Sequence, residues 1–180
     1  MSAMIFRLSQ KLNDKIKAGR LGSRPLDENP FADWSATLFT ADRTQYILLS
    51  NSKSLYSTVL YAKGITNDSD FIERAMSSIR DFMENDGLAF MYQRFIAPSG
   101  ATVGFAKALN RSVTGSMNDL IRHAEYWLTN EEISPHDVSL RLNGLLMSAL
   151  APTKAEVYGK PREAFKAMDV GGRADDLHAS

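Results

Sequence analysis

Residues 101–128 read ATVGFAKALNRSVTGSMNDLIRHAEYWL, and along that stretch the apolar spacing changes from two to a mixture of three and four. Val103 and Phe105 fall on one side of an extended segment while Gly104, Ala106 and Lys107 interrupt or oppose them, which predicts a short half-buried strand from about Thr102 to Ala108. The chain then turns through Asn110 and Arg111. Ser112 stands where a hydroxyl can cap a helix, and the helix is expected from Val113 to about Leu128. Val113, Met117, Leu120, Ile121, Ala124, Trp127 and Leu128 form its apolar face, leaving Asn118, Asp119, Arg122 and Glu125 for water. Gly115 costs such a helix roughly 1 kcal/mol relative to alanine, which a closely approaching backbone or ligand would explain.

The same turn gathers Asn110, Arg111, Ser112, Thr114 and Ser116 at a helix N-terminus. Unpaired N–H groups and a partial positive charge there suit a phosphate or carboxylate. The competing reading is that the hydroxyls cap the helix and Arg111 pairs with a carboxylate elsewhere in the fold. Neither GxxxxGK[ST] nor GxGxxG spacing occurs, so the turn is not an NTPase loop or a dinucleotide fingerprint.

Outward from this centre, Met4 to Leu8 reads as a first strand, and Ser9 caps a helix to about Ala18 with Leu8, Leu12 and Ile16 on one side, ended by Gly19. Arg7, Lys11, Lys15, Lys17, Arg20 and Arg24 face only Asp14 as a nearby acid. That excess is either a solvated face beside the buried stripe or a grip for phosphates. Arg20 to Pro30 is a loop. Trp34 to Thr40 alternates as a strand with one buried face, Ala41 to Thr44 is a tight connection, and Gln45 to Ser50 and Ser57 to Lys63 complete a three-strand meander. Asn67 to Ser69 cap a helix carrying Phe71, Ile72, Ala75, Met76, Ile79, Phe82 and Met83. Residues 88–96 fit either period, with a short helix preferred. Ser134-Pro135 opens another helix, and Pro161 a last one to Met168. The expected fold is a single α+β domain, residues 1–169, with a mainly antiparallel sheet of four or five strands covered by helices, and a flexible tail over 170–180. Trp34, Leu48, Val59, Ile79, Phe82, Phe105, Leu120 and Trp127 are expected in its core.

Composition narrows the function classes. With 44% hydrophobic and 23% charged residues in a chain of 180, an ordinary core can form without staples. The formal net charge is +0, so no global field draws the chain to nucleic acid or membrane, and nucleic acid is not a favoured partner. Cysteine is absent and histidine is confined to positions 123, 136 and 178, which disfavours thiol chemistry and a cysteine- or histidine-rich metal centre; no cofactor is expected. No apolar run reaches about eighteen residues and no leader pattern opens the chain, so the expected address is the cytoplasm. Oligomeric state is left open.

Asp119 and His123, four apart on the central helix, could orient an imidazole as a general base, but spacing fixes no nucleophile or second carboxylate beside them. His136 is expected to face solvent from a first helical turn. Trp34, Tyr46 and Tyr61 would stack bases only if they shared an exposed sheet face, and in a meander they are more often core or cross-strand partners. The reading that results is a non-catalytic binding or interaction module for an anionic ligand or a protein partner. Its alternative is a phosphate-ester hydrolase or nuclease using Asp119 and His123.

Three blocks carry a further signal: Met4-Ile5-Phe6-Arg7-Leu8-Ser9-Gln10-Lys11-Leu12, Asp33 to Phe39 (DWSATLF), and Asn110 to Asp119 (NRSVTGSMND). Together they resemble a family of small bacterial proteins classed as a domain of unknown function, over roughly Met4 to Met168. The resemblance implies a bacterial intracellular setting and supplies no catalytic residues.

Overall fold

Five strands share one sheet in the order β4-β3-β2-β1-β5: β1 (Met4–Leu8), β2 (Asp33–Ala41), β3 (Thr44–Asn51), β4 (Ser57–Tyr61) and β5 (Val103–Ala106). They are seen in a computed structural model that describes residues 3–151 and 158–170. The meander β2-β3-β4 is antiparallel as its short connections require. Its first hairpin closes between paired Ala41 and Thr44. The two turn residues, Asp42 and Arg43, both have positive φ (46° and 67°), the geometry whose twist matches the flanking strands. β1 runs parallel to both of its neighbours, so the sheet is mixed, with its longer ladders antiparallel. The architecture is α+β.

Helices α1 (Gln10–Ile16), α2 (Asp68–Asn85), α3 (Ala89–Met91), α4 (Arg111–Asn130), α5 (Pro135–Leu142) and α6 (Pro161–Lys166) surround the sheet. The ambiguous stretch is helical but irregular: α3 passes into a π-helical turn, Tyr92–Ile96, and a 3-10 turn, Ala97–Ser99, that contains Pro98.

Both sheet faces are buried, whereas β2 alone suggested one. Trp34 and Ala36 join Phe6, Leu12, Phe71 and Ile79 in a first core, while Phe39 and Ala41 join Leu48, Leu120, Ala124 and Val138 in a second. The reason is that α1 and α2 lie on one face and α4 and α5 on the other. Six of the eight expected core residues are buried. Phe105 and Trp127 are only partly so: Phe105 sits on a four-residue edge strand, and Trp127 lies near the end of α4, with the Arg141 guanidinium 5.4 Å from its ring centroid.

Arg7 departs furthest from expectation. It is 1% exposed and not part of a solvated face. β1 sends Met4, Phe6 and Leu8 into the first core, so Ile5 and Arg7 point to the opposite face, where backbone from the loop 20–30 packs over them. Arg7 Nε and Nη2 donate to the two carboxylate oxygens of Asp33, each at 2.8 Å. Nη1 donates to the Arg24 and Lys107 carbonyls at 2.8 and 3.3 Å, and Nη2 to the Pro25 carbonyl at 2.9 Å. A single guanidinium thus joins two strands, a loop and the end of β5.

At the other side of the sheet, side chains finish the edge strand β4. The Asn143 amide accepts from the Ser57 N–H (2.7 Å) and donates to the Ser57 carbonyl (2.8 Å). One helical turn earlier, the Ser139 hydroxyl accepts from the Val59 N–H at 2.8 Å. Arg74 donates to the Tyr61 carbonyl at 3.0 Å. Ser57, Val59 and Tyr61, alternate residues of the edge, each have a backbone group taken by a side chain, which blunts the edge as a template for strand addition. The expected tail divides: Val170 packs against the first core, and residues 171–180 lie outside the described residues.

Candidate anion-binding surface at the start of α4

Helix α4 begins at Arg111, two residues before the expected start, because Asn110 and not Ser112 supplies the cap. Asn110 is extended (φ −165°, ψ 175°) and its side-chain oxygen accepts from the Val113 N–H at 2.9 Å. The Thr114 hydroxyl donates to the Asn110 carbonyl at 3.2 Å. Asparagine and serine cap about equally well, so the outcome was set by where β5 ends.

This capping leaves Ser112 without the cap role expected of it. Arg111 and Ser112 are exposed and Ser116 is half-buried. Among the described residues Arg111 has no carboxylate within ion-pair distance, so the pair of the competing reading is not formed there. Gly115 is not explained by a close neighbour either, since a Cβ there would meet nothing within 4 Å among the described residues. Arg111, Gly115, Asn118 and Arg122 share one helix face by their spacing of four, three and four. With Ser112, Ser116, Ser148, Ala149 and the carboxylate Asp119 they line an open concavity of about 620 Å³. Arg122 is the member that the sequence reading passed over, although its spacing from Arg111 was there to be used.

The acid–base pair considered from sequence is not assembled. Asp119 accepts from Arg122 on the next turn, while the ring of exposed His123 lies 5.6 Å from that of Trp127. His136 is exposed, as expected. Trp34 is buried with its Nε1 donating to the Phe31 carbonyl, and Tyr46 and Tyr61 are cross-strand partners 5.2 Å apart, so the three do not make a stacking platform. Among the described residues no three His, Asp or Glu side chains are grouped to hold a metal ion, and no helix is long and apolar enough to cross a membrane.

The blocks Met4–Leu12, Asp33–Phe39 and Asn110–Asp119 thus form β1 with the start of α1, most of β2, and the cap and first half of α4, and all but Met4 fall within residues 5–164 matched by a single family model. The chain belongs to the family described as Domain of unknown function (DUF6933). No curated protein and no solved structure matches this DUF6933 chain. The family description assigns no activity.

Proposed function

We propose that this DUF6933 protein is a non-catalytic binding module that takes an anionic group, a phosphate or carboxylate, at the start of α4. The observation that carries the reading is Arg111: an exposed guanidinium in no ion pair with a described residue, next to the hydroxyl of Ser112 at the start of a 20-residue helix, while Asp119, the one carboxylate among the described residues lining the same concavity, is paired with Arg122. The first N–H groups of such a helix favour negative charge, and an arginine adds paired donors in a planar fork. Asn110 contributes by capping, which fixes the first turn, and Thr114 by its bond back to Asn110. A bacterial, cytoplasmic setting is part of the proposal and rests on composition and on the three sequence blocks.

Calorimetric titration with p-nitrophenyl phosphate tests it. The expected result is saturable binding that Arg111→Ala weakens about tenfold or more, the loss of one charge-assisted pair, with Ser112→Ala weakening it less. Equal binding by wild type and Arg111→Ala would overturn the assignment. Release of p-nitrophenol that His123→Ala abolishes would overturn its non-catalytic part.

A further inference from the structure

We propose a second ligand site, independent of the first: a crevice between the carboxyl ends of β1 and β5 that binds a small molecule bearing a phosphate or diphosphate group through Arg20 and Lys107. These two strands are adjacent and parallel, yet the helices that follow them leave over opposite faces. α1 places Leu12 and Ile16 in the first core, and α4 places Met117 and Leu120 in the second. Diverging exits open a gap beyond the strand ends, the position at which open parallel sheets bind ligands. Here the gap is about 360 Å³, the size of a small-molecule cleft.

Its lining is one-sided in charge. Arg20 and Lys107 supply two cations, Gln10 and Asn13 two carboxamides, and Leu8 and Leu21 an apolar floor, with no carboxylate among the described lining residues. Asp14, the acid nearest in sequence, accepts from Gln10 Nε2 at 2.8 Å. Neither cation is in an ion pair with a described residue.

The walls are also fixed in place, which limits the ordering cost of binding. Asn13 donates to the Gly19 carbonyl and accepts from the Ala18 N–H, shaping the turn before Arg20. The Lys107 N–H donates to the Gly22 carbonyl at 2.9 Å, and the Lys107 carbonyl is held by Arg7 Nη1. The loop carrying Arg20 and the strand end carrying Lys107 are thereby tied together from both sides. Two cations lining one small crevice suit a ligand that carries more than one negative charge on a short group, so pyrophosphate is the natural probe.

Titration calorimetry of the full chain with inorganic pyrophosphate, on wild type, R20Q/K107Q and R111A, tests the proposal. Binding with a dissociation constant below about 1 mM, weakened at least about tenfold in R20Q/K107Q and retained in R111A, is the expected result. Both substituted side chains are exposed, so an unchanged melting curve for R20Q/K107Q accompanies it. The proposal is overturned if wild type does not bind, or if R20Q/K107Q binds as wild type does. Binding lost only in R111A would overturn this site while leaving the α4 site standing.

Discussion

Arg7 and Asp33 form a two-pronged ion pair between parallel strands β1 and β2, with both N–O distances 2.8 Å and both side chains essentially out of contact with solvent. Asp33 also accepts from the Asp27 N–H at 3.1 Å, so the pair holds the loop from its far end too. A buried pair of this kind adds little beyond what a well-packed apolar pair would give, but removing one partner leaves a charge with no compensation. Its effect on this fold is positional: it fixes where the loop crosses β1 and where β5 ends.

Arg7→Met is therefore expected to lower the unfolding free energy by about 3–5 kcal/mol. Arg7→Met combined with Asp33→Asn should recover part of that loss, because the residual charge is gone. Urea denaturation of the two variants checks this, and additive losses would show that the residues do not act as a pair.

The closure of the β4 edge gives a second expectation. Asn143→Leu keeps the bulk but leaves the Ser57 N–H and carbonyl without their partner, a cost of about 1–3 kcal/mol for each buried group left unsatisfied. Hydrogen exchange at the Ser57 amide should quicken more than at Leu48, which lies inside the sheet. Ser139→Ala should do the same at Val59.

Gly115 is helical and surrounded by open space among the described residues. Gly115→Ala should therefore stabilise the protein, by up to about 1 kcal/mol, the helix-propensity difference. Thermal unfolding measures it, and a decrease in stability would show that something not described occupies that space.

Much of this architecture was legible. The meander followed from period-two alternation and short polar connections, α2 from its long run of apolar residues three and four apart, and α5 from Ser134-Pro135, where Ser134 accepts from the Asp137 N–H as a cap should. The parallel placement of β1 was not legible, since no local signal names a partner reached through a crossover of more than twenty residues. Arg7 misled for a related reason: in a strand an arginine reads as solvent-facing, and its partner Asp33 lies 26 residues away. At the start of α4 the chemistry of the turn could be read, whereas the choice of Asn110 over Ser112 as cap and the lack of an ion-pair partner for Arg111 among the described residues depend on how neighbouring elements pack.

Tyr56 supplies a pH prediction. Its hydroxyl donates to Asp86 at 2.7 Å, and burial first, then the bond to Asp86, push its pKa far above the usual phenol value. A raised folded pKa means that the native state keeps a proton the unfolded state releases, so the stabilisation is complete below about pH 10 and falls as pH rises past it. Above that pH the unfolding free energy should fall by about 1.4 kcal/mol per pH unit for this proton. Tyr56→Phe should lose about 1 kcal/mol at neutral pH and show a shallower alkaline decline. Denaturation midpoints between neutral pH and the alkaline limit measure both, and an unchanged alkaline slope in the variant would assign the effect elsewhere, Tyr46 and Tyr92 also being raised by burial.

The central claim is that Arg111 serves a ligand and not the fold. Two-dimensional amide NMR of wild type and Arg111→Ala, titrated with inorganic phosphate and paired with a thermal melt of each, tests it most directly. The account predicts saturable shifts of the Ser112 to Ser116 amides in wild type, their loss in Arg111→Ala, and melting temperatures that agree in the absence of phosphate. Amides at 112–116 that do not respond in wild type, or an Arg111→Ala protein destabilised by several kcal/mol as a broken buried pair would be, would contradict it.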